Sequence, residues 1–121
     1  MKESIIITYH KNKDMLLFCL KHLLKTTPDG VEILIIGNNV NRAELDVTIS
    51  DPRCRYLKFY HNLQYPKALN IAVEQCSGEL ITFVDADIFV WEGWYEALHK
   101  TFTSSDKIGV VGAKLINQLT N

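Results

Sequence analysis

The sequence predicts an α/β protein with a mostly parallel sheet and helices on both faces. Short β-branched apolar runs alternate with segments of helical periodicity in the order β-α-β-α-β-α-β-α-β. The chain has 121 residues, of which 47% are apolar, so it can bury the core of one compact domain. The alternation runs through the whole chain, and we therefore predict a single domain over residues 1–121.

The first half of the chain contains two predicted strands and two predicted helices. Residues 4–8 are a β-branched run typical of a buried strand, and residues 31–36 form a second run that ends at a Gly-Asn-Asn turn. Between these strands, Asp14 is expected to cap a helix that begins near residue 15. One face of this helix carries four leucines, Leu16, Leu20, Leu23 and Leu24. A weaker, short helix is predicted over residues 41–49.

The second half continues the same alternation. Residues 55–60 are predicted to form a third strand, and Pro66 is expected to begin the next helix, where its missing N–H is tolerated. Residues 79–84 are almost wholly apolar, which indicates a central strand that is covered on both faces. A helix over residues 92–102 and a fifth strand over residues 108–111 complete the prediction.

Composition excludes several classes of protein. The net charge is −1 and no Lys/Arg-rich run occurs, so nucleic acid is not an expected partner. No uncharged apolar stretch approaches the roughly 20 residues that span a bilayer, and no signal peptide is recognised. The three cysteines form no C-x-x-C pair and the four histidines lack ligand spacing, which argues against a disulfide framework and structural zinc. A cytoplasmic protein with reduced thiols is expected.

Two aspartates at the end of the fourth predicted strand are the sharpest chemical feature. Asp85 and Asp87 are flanked by apolar residues on both sides, where a charged group needs a compensating partner. If the backbone stays extended there, both carboxylates point to one side and Ala86 points away. Such a pair of oxygen ligands suits Mg²⁺ or Mn²⁺. The alternative is structural, with Asp85 in a turn and Asp87 capping the next segment.

The motifs of the chain follow the order and spacing of a known family. They lie at 4–9, 19–20, 32–36, Asn62, 68–70, Ala72, 77–79 and 83–87. From residue 4 to about residue 113, the chain resembles the N-terminal, nucleotide-binding half of a family 2-type glycosyltransferase with the GT-A fold. The resemblance implies that the chain binds a nucleotide-diphosphate sugar with a divalent metal through a D-x-D motif.

Three residues resemble positions around the nucleotide base in this family. Thr8 and Tyr9 match the first-strand end that lines the base pocket. Asn38 stands near the family's acidic residue, which reads the imide N–H of uracil, but residues 37–40 contain no carboxylate here. An amide oxygen can still accept that N–H, so a UDP-sugar is favoured while the base identity stays open. An ordinary turn at Asn38 and Asn39 is an equal alternative.

The resemblance assigns the diphosphate and metal to three further residues. Lys67 precedes an Ala-Leu-Asn element and corresponds to a side chain that meets the diphosphate or the base, although a solvated lysine is the alternative. Asp85 resembles the carboxylate near the ribose and metal, and Asp87 resembles the direct metal ligand. The implied cofactor is Mn²⁺ or Mg²⁺.

The implied activity is transfer of the sugar to an unknown acceptor. In this family the catalytic base lies in the later, acceptor-binding half, and no candidate for it is found before Asn121. We therefore expect little or no transfer by the isolated chain, as a fragment, a short homologue or a module completed by another chain. Apolar surface left uncovered by a missing half favours self-association.

Other classes of protein remain as alternatives. A catalytically silent nucleotide-binding or regulatory module of the same fold differs only in lacking turnover. A receiver-like signalling domain needs an acidic pair after the first strand, which residues 8–10 do not supply. A dinucleotide site needs a G-x-G-x-x-G turn that is absent here. Trp91, Trp94 and Tyr95 are either a sugar platform facing the acceptor or ordinary packing residues.

Overall fold

The computed structural model describes residues 1–41 and 49–116. The elements of this part are β1 (Glu3–Tyr9), α1 (Lys13–Thr26), β2 (Glu32–Gly37), β3 (Cys54–Lys58), α2 (Tyr65–Gln75), β4 (Leu80–Asp85) and α3 (Trp94–Thr103). Its strands form one sheet in the order β3-β2-β1-β4, and every neighbouring pair is parallel. The predicted α/β class with a mostly parallel sheet is confirmed.

The core lies on both faces of β1 and β2, whose side chains alternate between the two sides of the sheet. One face packs with α1 and α3 in a cluster that includes Ile5, Ile7, Leu16, Leu20, Leu23, Ile33, Ile35 and Tyr95. The other face packs with α2 in a smaller cluster of Ile6, Leu34, Ile36, Leu63, Ala68 and Ala72. Helices therefore cover both faces, as the continuous apolar runs of the two central strands predict.

Helix α1 begins two residues earlier than its sequence suggests. Asn12, and not Asp14, is the N-cap: its side-chain oxygen accepts a hydrogen bond from the Met15 N–H at 3.2 Å. Asn12 has a φ of 67°, a left-handed conformation that asparagine tolerates better than most residues. Asp14 instead lies in the first turn, where its negative charge is favourable beside the helix dipole.

A hydrogen-bonded network joins β1, β2 and the start of β4 at the amino edge of the sheet. The Ser4 hydroxyl donates to the Glu32 carboxylate at 2.6 Å, and the Ser77 N–H donates to the same oxygen at 2.8 Å. The Gly78 N–H donates to the Ser4 hydroxyl at 2.8 Å. A Cβ at Gly78 would lie 2.4 Å from that hydroxyl, so only glycine allows this approach. Arg55 completes the network with an ion pair to Glu32 at 3.1 Å.

Strand β4 is an edge strand of the described sheet, so the prediction that residues 79–84 form a central strand is wrong. Phe83 is 51% exposed, and Val84 is the buried residue of this strand. An apolar run indicates that a strand contacts the core, but its position in the sheet depends on pairing partners elsewhere in the chain. Beside β4, the described residues provide β1 alone.

Three further predictions differ from the structure or fall outside it. Residues 108–111 form no strand, and Val110 is 89% exposed. Gly109 and Gly112, which flank the Val110-Val111 pair, weaken strand formation there. Pro66 is the second residue of α2, because the helix already begins at Tyr65. The helix predicted over residues 41–49 falls almost wholly outside the described residues.

Candidate functional site

An open cleft lies at the carboxyl edge of the sheet, where β1 and β4 end side by side. Thr8 pairs with Asp85 in the parallel register of these two strands. The cleft has a volume of about 360 Å³ and is lined by Thr8, Tyr9, His10, Lys11, Met15, Asp85, Ala86 and Asp87. Ligands of open parallel sheets bind at this edge, beyond the carboxyl ends of the strands.

The two aspartates reach this cleft through a turn and not through an extended backbone. Strand β4 ends at Asp85, and the Ile88 N–H donates to the Asp85 carbonyl at 3.0 Å to close the turn. The Ala86 N–H donates to the Thr8 carbonyl at 3.3 Å, which holds the turn against β1. The assumption of an extended Asp-Ala-Asp segment is therefore wrong. Both aspartates are nevertheless exposed and line the same cleft.

Tyr65 contacts the first of these carboxylates. Its hydroxyl donates a hydrogen bond to Asp85 Oδ1 at 3.1 Å, and it also hydrogen-bonds the Thr8 side chain. Partial burial and then the negative charge of Asp85 raise the pKa of Tyr65, so this phenol is a neutral donor. No hydrogen bond to the Asp87 carboxylate occurs among the residues that the structure describes.

Cys19 of α1 packs beneath the same turn. Its thiol lies 3.9 Å from the Asp85 carbonyl oxygen, a weak contact at this distance. Burial, followed by the negative charge of Asp87, raises the pKa of Cys19 to about 11. The thiol is therefore protonated at neutral pH and is a packing residue, as expected for a buried free cysteine.

The structure brings some of the predicted site residues together and separates others. Thr8, Asp85 and Asp87 line the cleft, and Tyr9 lies there with a side chain that is only 3% exposed and packs against Tyr56. The other two predicted site residues, Asn38 and Lys67, do not line the cleft. Lys67 is exposed on α2.

Asn38 acts in a turn beside the cleft. Its side-chain oxygen accepts a hydrogen bond from the Leu63 N–H at 3.0 Å, and its own N–H donates to the Tyr9 carbonyl at 2.7 Å. This amide oxygen already has a backbone partner, which supports the alternative of a structural turn. The role in base recognition that the resemblance implies remains a prediction.

Four residues in or beside the cleft were not predicted from the sequence as site residues: His10, Lys11, Met15 and Tyr65. His10 Nδ1 lies 2.8 Å from the Asn38 carbonyl oxygen. Because a carbonyl oxygen only accepts, Nδ1 carries the proton of this contact. The signal for His10 and Lys11 was their position directly after a strand end. Tyr65 had no such signal, because it reaches Asp85 from a helix that begins 20 residues earlier in the chain.

The carboxylate oxygens that line the cleft are suitable ligands for a hard divalent cation. In the described part of the chain, no group of three or more His, Cys, Asp or Glu side chains could hold a metal by itself. Asp85 and Asp87 offer two carboxylates, which is the number that Mg²⁺-type sites use when water and substrate phosphates complete the coordination. The residues therefore fit Mg²⁺ or Mn²⁺ bound together with a phosphate ligand, and they do not fit an all-protein zinc site.

The aromatic residues after β4 lie away from this cleft. The Trp94 indole N–H donates to the Thr26 hydroxyl at 2.7 Å, and Tyr95 belongs to the core. The alternative of ordinary packing therefore describes these two residues. Trp91 is 67% exposed and lines a separate cleft of about 640 Å³ between α1 and the start of α3, together with His22 and Glu96.

Among the residues described, no helix has the length and apolar character needed to span a membrane. The parallel sheet with helices on both faces is the α/β fold of GT-A-type proteins. A family model, Glycosyl transferase family 2, matches residues 4–119. The chain belongs to this family.

Curated proteins that are similar in sequence to this chain are consistent with this family. The chain is 32% identical over 120 residues to the O-antigen biosynthesis protein RfbC of Myxococcus xanthus, covering 95% of this chain and 9% of that protein. It is 28% identical over 113 residues to the glycosyltransferase GlyG of Streptococcus pneumoniae serotype 4, covering 90% of this chain and 38% of that protein. The chain thus spans well under half the length of the curated relatives it matches.

Solved structures of low sequence identity share the fold. The mannosyltransferase PcManGT of Pyrobaculum calidifontis, in complex with GDP-Man and Mn²⁺, superposes with a TM-score of 0.75 at 15% identity, over 89% of this chain and 34% of that one. S. aureus TarS 1-349 in complex with UDP-GlcNAc gives a TM-score of 0.72 at 18% identity, over 93% of this chain and 37% of that one. These similarities confirm the predicted GT-A fold.

Proposed function

We propose that this chain binds a nucleoside-diphosphate sugar together with Mn²⁺ or Mg²⁺ in the cleft at the carboxyl edge, as the donor-binding part of a glycosyltransferase. The observation that carries the proposal is the meeting of Asp85 and Asp87 with the end of β1 in one accessible cleft. The family supplies the reaction class, since its members are glycosyl transferases.

The charge balance of the cleft supports this proposal. Neither Asp85 nor Asp87 forms an ion pair with a lysine or arginine among the described residues, so both are available to a cation. Lys11 lines the same cleft and provides ammonium N–H donors for phosphate oxygens, while the Nδ1–H of His10 beside it already donates to the Asn38 carbonyl. A cleft with carboxylates and basic donors suits a metal–diphosphate better than it suits a free anion or a free cation.

The two aspartates differ in their surroundings, and we assign them different tasks. Asp87 has no hydrogen-bond donor among the described residues, and we propose that it is the direct ligand of the metal. Asp85 already accepts from Tyr65 on one oxygen, which leaves the other for the metal or the ribose. When bound, the divalent cation neutralises charge on the leaving diphosphate.

The identity of the donor remains open to experiment. PcManGT is described with GDP-Man and TarS 1-349 with UDP-GlcNAc, so proteins of this fold bind different bases. We keep the prediction of a UDP-sugar with Asn38 near the base and Lys67 near the diphosphate or base. The sugar and its acceptor are not specified by these residues. The described part of the chain offers no catalytic base in the cleft beyond groups already assigned to binding, and we expect the isolated chain to bind the donor without efficient transfer.

Isothermal titration calorimetry tests the proposal. UDP, GDP and ADP are titrated with and without Mn²⁺ into the wild type, Asp87→Ala and the control Asp106→Ala, which removes an exposed carboxylate outside the cleft. We expect Mn²⁺ to strengthen binding of at least one nucleotide, and Asp87→Ala to reduce this affinity about tenfold or more, since hydrogen bonds and ligands on charged groups contribute about 1.5–3 kcal/mol. If Asp87→Ala bound the nucleotide with Mn²⁺ as tightly as the wild type, the proposal that the metal and nucleotide bind at Asp87 in this cleft would be wrong.

A further inference from the structure

The start of α2 has an unfavourable backbone next to the cleft. Gln64, the N-cap of this helix, has φ 59° and ψ 148°, a conformation that glycine adopts far more readily than glutamine. Its side chain makes no capping hydrogen bond, and its backbone is held in this conformation by the Gln64 N–H, which donates to the Asn62 side-chain oxygen at 2.9 Å. Strained residues persist where the surrounding structure holds them, and they are enriched beside functional sites.

The residue that follows this strained position is Tyr65. It is the first residue of α2, and Pro66 behind it has a fixed φ, so the entry to the helix is conformationally restricted. From here the Tyr65 hydroxyl reaches Asp85 at 3.1 Å and the side chain of Thr8. One phenol thus connects the start of α2 to the ends of the two strands that form the cleft.

We propose that Tyr65 is a positioning residue that orients the Asp85 carboxylate toward a metal-bound diphosphate. This inference rests on the proposed function, because it assumes that the cleft binds that ligand. Asp85 is exposed at the end of a strand, where its side chain would otherwise exchange between rotamers. The hydrogen bond from Tyr65 occupies Oδ1 and fixes the direction of the second oxygen, which then faces a ligand without prior reorganisation.

The hydroxyl is better suited to this task than a charged donor. A lysine or arginine in its place would neutralise Asp85 and lower its attraction for a divalent cation. The phenol orients the carboxylate and leaves its negative charge in place. Half of the Tyr65 side chain is exposed, so Tyr65→Phe removes one oxygen atom without opening a cavity in the core.

Binding measurements on Tyr65→Phe test the inference. Free Mn²⁺ is followed by electron paramagnetic resonance at saturating UDP, or at saturating GDP if that nucleotide binds more tightly. Loss of a residue that supports a metal ligand lowers metal affinity about 10–100-fold, and we expect about tenfold for Tyr65→Phe. Tyr60→Phe is the matched control, since it removes a hydroxyl from another exposed tyrosine that does not line the cleft. The thermal unfolding midpoint of both variants is measured beside binding, so that a loss of affinity is separated from a loss of fold.

A second readout separates positioning from a general structural role. With ¹³C-labelled tyrosine rings, addition of UDP and Mg²⁺ should shift the Tyr65 resonance, and Asp85→Asn should abolish that shift. If Tyr65→Phe binds Mn²⁺ like the wild type while Asp87→Ala loses it, the inference on Tyr65 is wrong and the proposed function stands. If Asp87→Ala also binds normally, the proposed function fails and the inference fails with it.

Discussion

Glu32 is a carboxylate whose neighbours keep it charged at the amino edge of the sheet. Burial by itself raises its pKa, but hydrogen bonds from Ser4 and Ser77, together with the charge of Arg55, outweigh burial and lower the pKa below the ordinary 4.5. A carboxylate with a lowered pKa in the folded state stabilises the fold above its ordinary pKa, and this stabilisation disappears as pH falls through the folded-state value.

Glu32→Gln should therefore destabilise the protein in a pH-dependent way. At pH 7 we expect a loss of about 1–3 kcal/mol in the free energy of unfolding, because the charge-assisted hydrogen bonds and the ion pair are weakened. The difference from the wild type should remain constant well above the ordinary pKa of 4.5 and shrink as the pH falls below it, when Glu32 becomes protonated in the wild type. Urea unfolding at pH 7 and pH 3 measures this. Glu74→Gln, an exposed control on α2, should change stability little at either pH.

At the level of single residues, the sequence predicted those site residues whose type is unusual for their local sequence. Asp85 and Asp87 stand out because carboxylates rarely interrupt an apolar run, and the structure places both in the cleft. Tyr65 was missed because its importance comes from a contact made by folding and not from its local sequence. For the same reason, the partner of the Asn38 amide oxygen, the Leu63 N–H, could not be read from the sequence.

At the level of elements, the sequence predicted helices and strands that depend on a local pattern of residues. It did not predict which strands pair with each other in the sheet. The strands β1 and β2 were predicted because β-branched runs of this length bury both faces. The edge position of β4 and the missing strand at residues 108–111 depend on which segments find a partner, and no local pattern carries that information. The cap of α1 was misplaced by two residues because both Asn12 and Asp14 are favourable capping residues.

Gln64→Gly should stabilise the protein by relieving backbone strain at the entry to α2. The strain of a non-glycine residue in this region costs about 1–3 kcal/mol. Glycine regains part of this but loses about 0.5–1 kcal/mol through the greater freedom of the unfolded chain, so we expect a net gain of about 1 kcal/mol. Denaturant unfolding measures the change. Gln64→Ala is the control, since alanine keeps the Cβ and should bring no gain. A glycine variant no more stable than the alanine variant would show that the conformation is not strained.

At the level of the whole molecule, the amino edge and the carboxyl edge of the sheet, where the strands begin and end, have different roles. The amino edge is closed by the Glu32 network, in which each polar group has a partner and the chain segments are tied together. The carboxyl edge is open, and its carboxylates Asp85 and Asp87 are exposed in a cleft. Stability and ligand binding are thereby separated in space, so substitutions at Asp87 should alter binding without unfolding the chain.

The outer edge of β4 is where we expect self-association. In the described part of the chain β4 pairs on one side only, and Phe83 on this strand is half exposed. An exposed apolar edge strand is a template for pairing with a second chain, and a lysine on the edge is a natural means of blocking it. Sedimentation velocity on the 121-residue chain should give a mass above the 13.9 kDa monomer at high concentration. Phe83→Lys should lower that mass, whereas the control Leu17→Lys, on the surface of α1, should not. A monomer over the whole concentration range would contradict the prediction, and equal effects of the two lysines would show that association uses apolar surface in general and not this edge.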